Sequence, residues 1–157
     1  MLFNMNTIFE GTFNLSKKRI VNTLEEGAKM YGGATKMNGT IYSNYDNTDI
    51  FELNDNMNRL GVIVPGTLDV DSKIDNSKFK NQVIKMLEGK LVEDVAVEGA
   101  WTMENGDVVI ENNNMLLFDS TNIVEDLELL KGIAEYLKVA MSQEAISIVV
   151  NEGLVIY

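Results

Sequence analysis

The chain contains no histidine and no cysteine. That removes the usual general base, the Ser-His-Asp and Cys-His arrangements, and most zinc sites. Chemistry is left to carboxylates, lysines, hydroxyls and aromatic rings. Two groups of such residues stand out. Tyr42 and Tyr45 lie beside Asp46 and Asp49. Trp101, the only tryptophan, lies near Glu104 and Glu111. Rings of this kind can stack a planar ligand or anchor a partner, with the acids supplying a carboxylate. The plain alternative is that rings on strands fill the core. We take Trp101, Glu104, Glu111, Tyr42, Tyr45, Asp46 and Asp49 as candidate binding residues. No residue is singled out as catalytic, and no cofactor is implied.

Other familiar constellations are missing. Neither G-x-G-x-x-G nor G-x-x-x-x-G-K-[ST] occurs, so there is no recognisable phosphate cradle. Asp69, Asp71 and Asp75 lack the glycine and closing glutamate of an EF-hand loop. Asp46, Asp49, Glu52 and Asp55 recur at three-residue steps and would share a face only in a helical turn. The Tyr, Ile and Phe among them favour a strand. No metal site is expected.

The net charge of −11 is unevenly spread. Acids and bases balance from Met1 to Lys90, and the whole excess falls between Leu91 and Tyr157, where Lys131 and Lys138 are the only bases. Such a region repels phosphate backbones and acidic lipids and favours a basic partner. Direct nucleic-acid or membrane binding is therefore not expected. No apolar run approaches the roughly 20 residues that span a bilayer, and the start of the chain lacks a secretory signal. With cysteine absent, the cytoplasm is the expected location.

The elements that must position these residues can be read from periodicity. Asn6–Phe13 reads as a strand, and a helix capped by Asn14 or Ser16 runs to about Tyr31, where Gly32-Gly33 stops it. Asn38-Gly39 is a hairpin signal, followed by strands at Thr40–Tyr45 and Asp49–Leu53. Asn54–Asn58 is a candidate linker, dividing a small part, 1–55, expected to pack on the same core, from a larger domain, 60–157. The larger part begins with a buried strand, Leu60–Val64, ended by Pro65. A helix follows the cap at Asp75-Asn76-Ser77, with Phe79, Val83, Met86 and Leu87 inward. Two strands then flank a turn at Asn105-Gly106, and Asn112-Asn113-Asn114 suggests a bulge in the second. Leu127, Leu130, Ala134, Leu137 and Met141 form one helical stripe, and Ala145–Val150 and Leu154–Tyr157 are β-branched strands.

From residue 60 the order is strand, helix, strand, strand, helix, strand. This predicts an α+β fold: a ferredoxin-like antiparallel sheet with helices on one face, preceded by a small strand-helix-hairpin part. Gly99-Ala100-Trp101, Asn105-Gly106 with Val108-Val109 and Glu111, and Gln143-Glu144-Ala145-Ile146 give a resemblance. Residues 95–150 resemble small uncharacterised bacterial domains of dimeric ferredoxin-like type. The resemblance implies a fold, not an activity. The chain departs from it at Asn112–Asn114 and throughout its front part.

Charge and the lack of catalytic hallmarks favour an acidic accessory protein. It would occupy a basic, nucleic-acid-binding surface of a host protein, as a phage or mobile-element inhibitor of a defence nuclease does. The alternatives are a small-molecule or nucleotide-binding domain or enzyme working on the open face of the sheet, and a structural homo-oligomer such as a homodimer through the sheet.

Overall fold

The computed structural model describes residues 2–4, 14–15, 21–45, 49–52, 57–67, 74–151 and 153–157. Ten strands and three helices lie among them. In chain order they are β1 (Leu2–Asn4), β2 (Asn14–Leu15), α1 (Leu24–Tyr31), β3 (Gly33–Met37), β4 (Thr40–Tyr45) and β5 (Asp49–Glu52). Then come β6 (Asn58–Val64), α2 (Ser77–Met86), β7 (Glu93–Thr102), β8 (Val108–Ser120), α3 (Ile123–Ala140), β9 (Ser147–Val150) and β10 (Gly153–Ile156).

Seven strands close into a barrel in the order β10-β4-β3-β7-β8-β6-β9, and β1, β5 and β2 form a separate three-stranded sheet. The barrel corrects the expected fold. The predicted open ferredoxin-like sheet would end at β7 and β9, leaving two edges. Instead β3 pairs antiparallel with β7 (Gly33 opposite Trp101), and β10 pairs antiparallel with β9. The ring is completed by a parallel pairing of β10 with β4, Leu154 opposite Asn44 and Val155 opposite Tyr45. Closure removes the free edges that an open sheet must protect. It also draws residues 33–45 of the supposed front part into the same sheet as the larger part.

Strand side chains alternate between the two faces of a sheet. Here that alternation makes two cores. Leu60, Val62 and Val64 of β6, Leu116 and Phe118 of β8, and Ile148 and Val150 of β9 face outward. They are buried against Val83 of α2, Leu87 at its C-terminal end, and Leu127, Leu130, Ile133, Ala134 and Leu137 of α3. The alternate residues, Ile63, Met115, Leu117 and Val149, join Tyr42, Val97 and Leu154 inside the barrel, with Met37 against them. Every strand of the ring contributes to this plug.

The helices form where their apolar stripes and end residues agree. In α3 the Asn122 side chain accepts a hydrogen bond from the Glu125 N–H, Glu125 and Asp126 occupy the first turn and Lys138 the last. Gly132 in its middle costs about 1 kcal/mol relative to alanine. Each buried leucine of the stripe contributes roughly 1.5–3 kcal/mol, so packing outweighs that cost. Helix α1 starts later than predicted. Its cap is Thr23, whose hydroxyl accepts from the Glu26 N–H at 3.0 Å, and Gly32 ends it in the left-handed region (φ 83°). Asn6–Phe13 and Ser16 lie outside the described residues, and Asn14 belongs to β2. At the start of α2 the N-cap residue, Asn76, makes no side-chain capping bond, and Asp75 before it accepts from Ser77 N–H and Oγ at 3.0 and 2.5 Å. The Ser77 hydroxyl, more than its N–H, holds the Asp75 carboxyl below its ordinary pKa.

The bulge expected at Asn112–Asn114 is absent. Strand β8 runs unbroken through them in register with β7, while its pairing with β6 ends at Asn114. Asparagine is tolerated there because neighbouring polar groups engage its amides. Asn114 donates to Asp94 and accepts from Asn76, both at 3.1 Å.

Candidate functional site

The apolar plug fills only part of the barrel. Following the inward-facing positions beyond it, hydrophobic residues give way to small and polar ones. On β7 the inward series Val95, Val97 continues to Gly99 and Trp101. On β8, reading back from Leu117 and Met115, it continues to Asn113 and Glu111. On β3 and β4 it reaches Gly33, Thr35 and Asn44. These residues surround a cavity of about 400 Å³ at the mouth of the barrel. The segment Ser142–Ser147, between α3 and β9, forms another wall. The volume lies in the range of roughly 300–1,000 Å³ usual for small-molecule sites, and barrel mouths are among the places where such sites occur.

The polar groups of this cavity are tied to one another. Glu111 accepts a hydrogen bond from the Thr67 hydroxyl at 3.1 Å and a long one from the Asn113 amide at 3.5 Å. Asn113 is buried, 7% exposed, and its Oδ1 accepts from the Gly66 N–H at 2.8 Å. Gly66 is pressed so closely on β8 that an added Cβ would stand 1.9 Å from the Asn112 carbonyl oxygen. The turn after β6 is therefore clasped to β8 through Gly66, and the clasp fixes the rotamer of Asn113 beside Glu111. Gln143 secures the facing wall by donating to the Thr67 and Met141 carbonyls, both at 3.0 Å. A second cavity, of about 340 Å³, lies against the Asn112–Asn114 side and Asp75, and Glu111, Thr67 and Asn113 line both spaces.

The candidate residues from the sequence divide accordingly. Trp101 and Glu111 line the cavity together. Glu104 is exposed in the turn between β7 and β8. Tyr42 is buried in the plug, 8% exposed. Tyr45 ends β4 at the parallel seam, and Asp49 opens β5 opposite Asn14. Asp46 lies outside the described residues, as do Asp55, Asp69 and Asp71. Because Asp49 and Glu52 lie on a strand, the three-residue acidic series does not form one helical face. Among the described residues no group of three or more acids is placed to hold a metal ion. Thr35, Asn44, Thr67, Asn113, Gln143 and Glu144 join the site without having been singled out by the sequence. The triple asparagine was the available signal: polar residues inside a strand need a reason to be there.

A closed barrel with a concave, partly apolar mouth and a few convergent polar groups has the architecture of a small-molecule-binding protein. The fold is similar to that of a phage SAM lyase in complex with S-methyl-5′-thioadenosine. The TM-score is 0.50 and the identity 13%, over 68% of this chain and 88% of that one. No family model matches the chain, and no curated protein matches it. At this identity the likeness concerns the fold.

These findings correct two expectations. The resemblance to dimeric ferredoxin-like domains gives way to a barrel like that of the lyase. The expectation of an acidic inhibitor of a host nuclease falls with the fold it was built on, since the chain is a closed barrel whose fold is similar to that of the lyase. The electrostatic basis of that inhibitor is also weaker than the sequence implied. Arg59 pairs with Glu93 and Asp119 at 3.2 and 2.7 Å, Lys80 with Asp94 at 3.0 Å, and Lys90 with Asp126 at 3.7 Å. Cations of the neutral front half thus neutralise carboxylates of the acidic half. Among the described residues no helix is long and apolar enough to cross a membrane.

Proposed function

We propose that the barrel mouth binds an adenosyl compound carrying sulfur at its 5′ position and cleaves a carbon–sulfur bond in it, as a lyase acting on S-adenosylmethionine does. The observation that carries this reading is the pairing of Trp101 with a fixed carboxylate, Glu111, in one cavity of a lyase-like barrel. The indole offers a face on which a purine stacks, a contact worth about 1–3 kcal/mol. Glu111, held by hydrogen bonds from Thr67 and Asn113, is an acid–base group within reach of such a ligand.

In such a cleavage the bond between sulfur and the adjoining carbon of the four-carbon chain breaks, and its electron pair stays on sulfur. The positive sulfonium becomes a neutral thioether, S-methyl-5′-thioadenosine. The four-carbon fragment either loses a proton from its neighbouring carbon to a base or closes on its own carboxylate. Water is not consumed in either case.

The test is direct. Purified protein is incubated with S-adenosylmethionine, and products are separated by chromatography and weighed by mass spectrometry. S-methyl-5′-thioadenosine should accumulate with time. Glu111→Gln should lower the rate at least a hundredfold while leaving the circular dichroism spectrum intact. A wild-type protein that neither binds nor consumes the compound at millimolar concentration would overturn the reading.

A further inference from the structure

We infer that the barrel mouth selects its ligand by positive charge, with Glu111 as the residue that reads it. This rests on the adenosyl-sulfur reading above and goes beyond it. That reading requires a nucleoside site; it does not require the site to tell a sulfonium from a thioether.

Three observations carry the inference. First, the cavity has carboxylates in its wall, Glu111 and Glu144, and among its described lining residues there is no lysine or arginine. An adenine nucleotide would bring its 5′-phosphates into this wall without a cation to meet them. A 5′-sulfonium brings one positive charge instead. Second, Glu111, Thr67 and Asn113 line both the tryptophan-bearing cavity and the asparagine-rich one. A ligand with its purine on Trp101 would have its 5′ substituent, the sulfur, on the Glu111 side of the tryptophan-bearing cavity. Third, Glu111 does not swing freely. The Thr67 hydroxyl takes one carboxylate oxygen at 3.1 Å, the Asn113 amide faces the other at 3.5 Å, and Asn113 is itself locked by the Gly66 N–H. A carboxylate held in place loses little conformational freedom when a cation arrives, so more of the attraction appears as affinity. The nearby indole face adds a cation–π contribution of the same sign.

The same arrangement gives a release step. Cleavage turns the sulfonium into an uncharged thioether, and the attraction to Glu111 vanishes with the charge. The product is then the weaker ligand.

The experiment compares two ligands that do not turn over. Sinefungin has a protonated amine in place of the sulfonium, and S-adenosylhomocysteine has a neutral sulfur. Both are titrated into the full chain by calorimetry at moderate salt. Sinefungin should bind at least tenfold more tightly, which corresponds to about 1.4 kcal/mol. In Glu111→Gln the ratio should fall toward one, whereas Glu144→Gln should keep most of it. If Glu111→Gln does not fold, Glu111→Asp, which withdraws the charge by one methylene, should narrow the ratio. Equal binding of both ligands by the wild type overturns charge selection and leaves the nucleoside reading standing. Binding of neither overturns both. A ratio that survives Glu111→Gln overturns the assignment to Glu111.

Discussion

Replacing Asn113 by aspartate is the most revealing single change, because it alters one atom of the clasp. The side chain keeps its shape. The carboxylate oxygen that replaces Oδ1 still accepts from the Gly66 N–H at 2.8 Å. The amide that faced Glu111 at 3.5 Å becomes a second negative oxygen. Two unit charges about 4 Å apart repel by about 4 kcal/mol at an effective dielectric constant of 20. Glu111 is half-buried and reached by solvent from the cavity, so screening reduces the penalty to about 2 kcal/mol. For a chain of this length each kcal/mol shifts the melting temperature by roughly 2–4 °C. The variant should therefore melt about 4–8 °C below the wild type at pH 7. The penalty has a pH signature. When one proton is shared by two close carboxylates, the folded pair holds that proton to a higher pH than the unfolded chain does. The penalty is complete above that range and disappears as the pH falls to about 4. Thermal unfolding followed by circular dichroism from pH 4 to pH 8 measures it, with Asn113→Ala as the control. The alanine variant loses the bond to Gly66 at every pH, so its deficit should stay flat. A deficit in Asn113→Asp that does not close on acidification would show that Asn113 does not face Glu111.

Other changes test other parts of the structure. Gly132 sits mid-helix with open space where a Cβ would go, so Gly132→Ala should raise stability by about 0.5–1 kcal/mol in urea unfolding. Ser120, 1% exposed, donates to Asp126, 5% exposed. Asp126→Ala strands that hydroxyl and should cost about 1–3 kcal/mol, part of which the double change with Ser120→Ala restores. Arg59→Gln should cost no more than about 1 kcal/mol for each partner it loses, less at high salt, because its side chain is 39% exposed. Burial and the 2.7 Å bond donated to Glu135 push the Tyr157 phenol up to about 12. Its contribution to stability is thus complete below pH 10 and lost as the pH rises toward 12. An absorbance titration, taken as the difference between wild type and Tyr157→Phe, should show one late phenolate, and Glu135→Gln should bring it forward.

Local features were legible in the sequence and distant ones were not. The stripe from Leu127 to Met141 faces the core as its spacing requires, and every member is fully buried. Asn38-Gly39 and Asn105-Gly106 turn hairpins with glycine at positive φ. Strand β3 was missed: Gly33–Met37 is short and opens on the glycines that end α1. Closure of the sheet was missed for a deeper reason. It depends on Leu154 meeting Asn44, a pairing that leaves no trace in periodicity. The site divides along the same line. Trp101 and Glu111 announced themselves by residue type, whereas Thr67 and Gln143 act through hydrogen bonds to Glu111 and to the Thr67 carbonyl, partners that only the folded chain brings together. The acidic half misled because charge was counted along the chain, while Arg59, Lys80 and Lys90 reach their partners across it.

The parallel seam has a consequence for how the chain reaches this state. A ribosome that has delivered β4 must still deliver more than a hundred residues before β10 exists to meet it. Contacts this remote in sequence form slowly, because the intervening loop must be closed before the pairing rewards it. Until then β4 and β9 each present an unpaired border able to recruit another chain. The ring should therefore snap shut last, and cells that make the protein quickly should accumulate it in inclusion bodies when residues 153–156 are deleted.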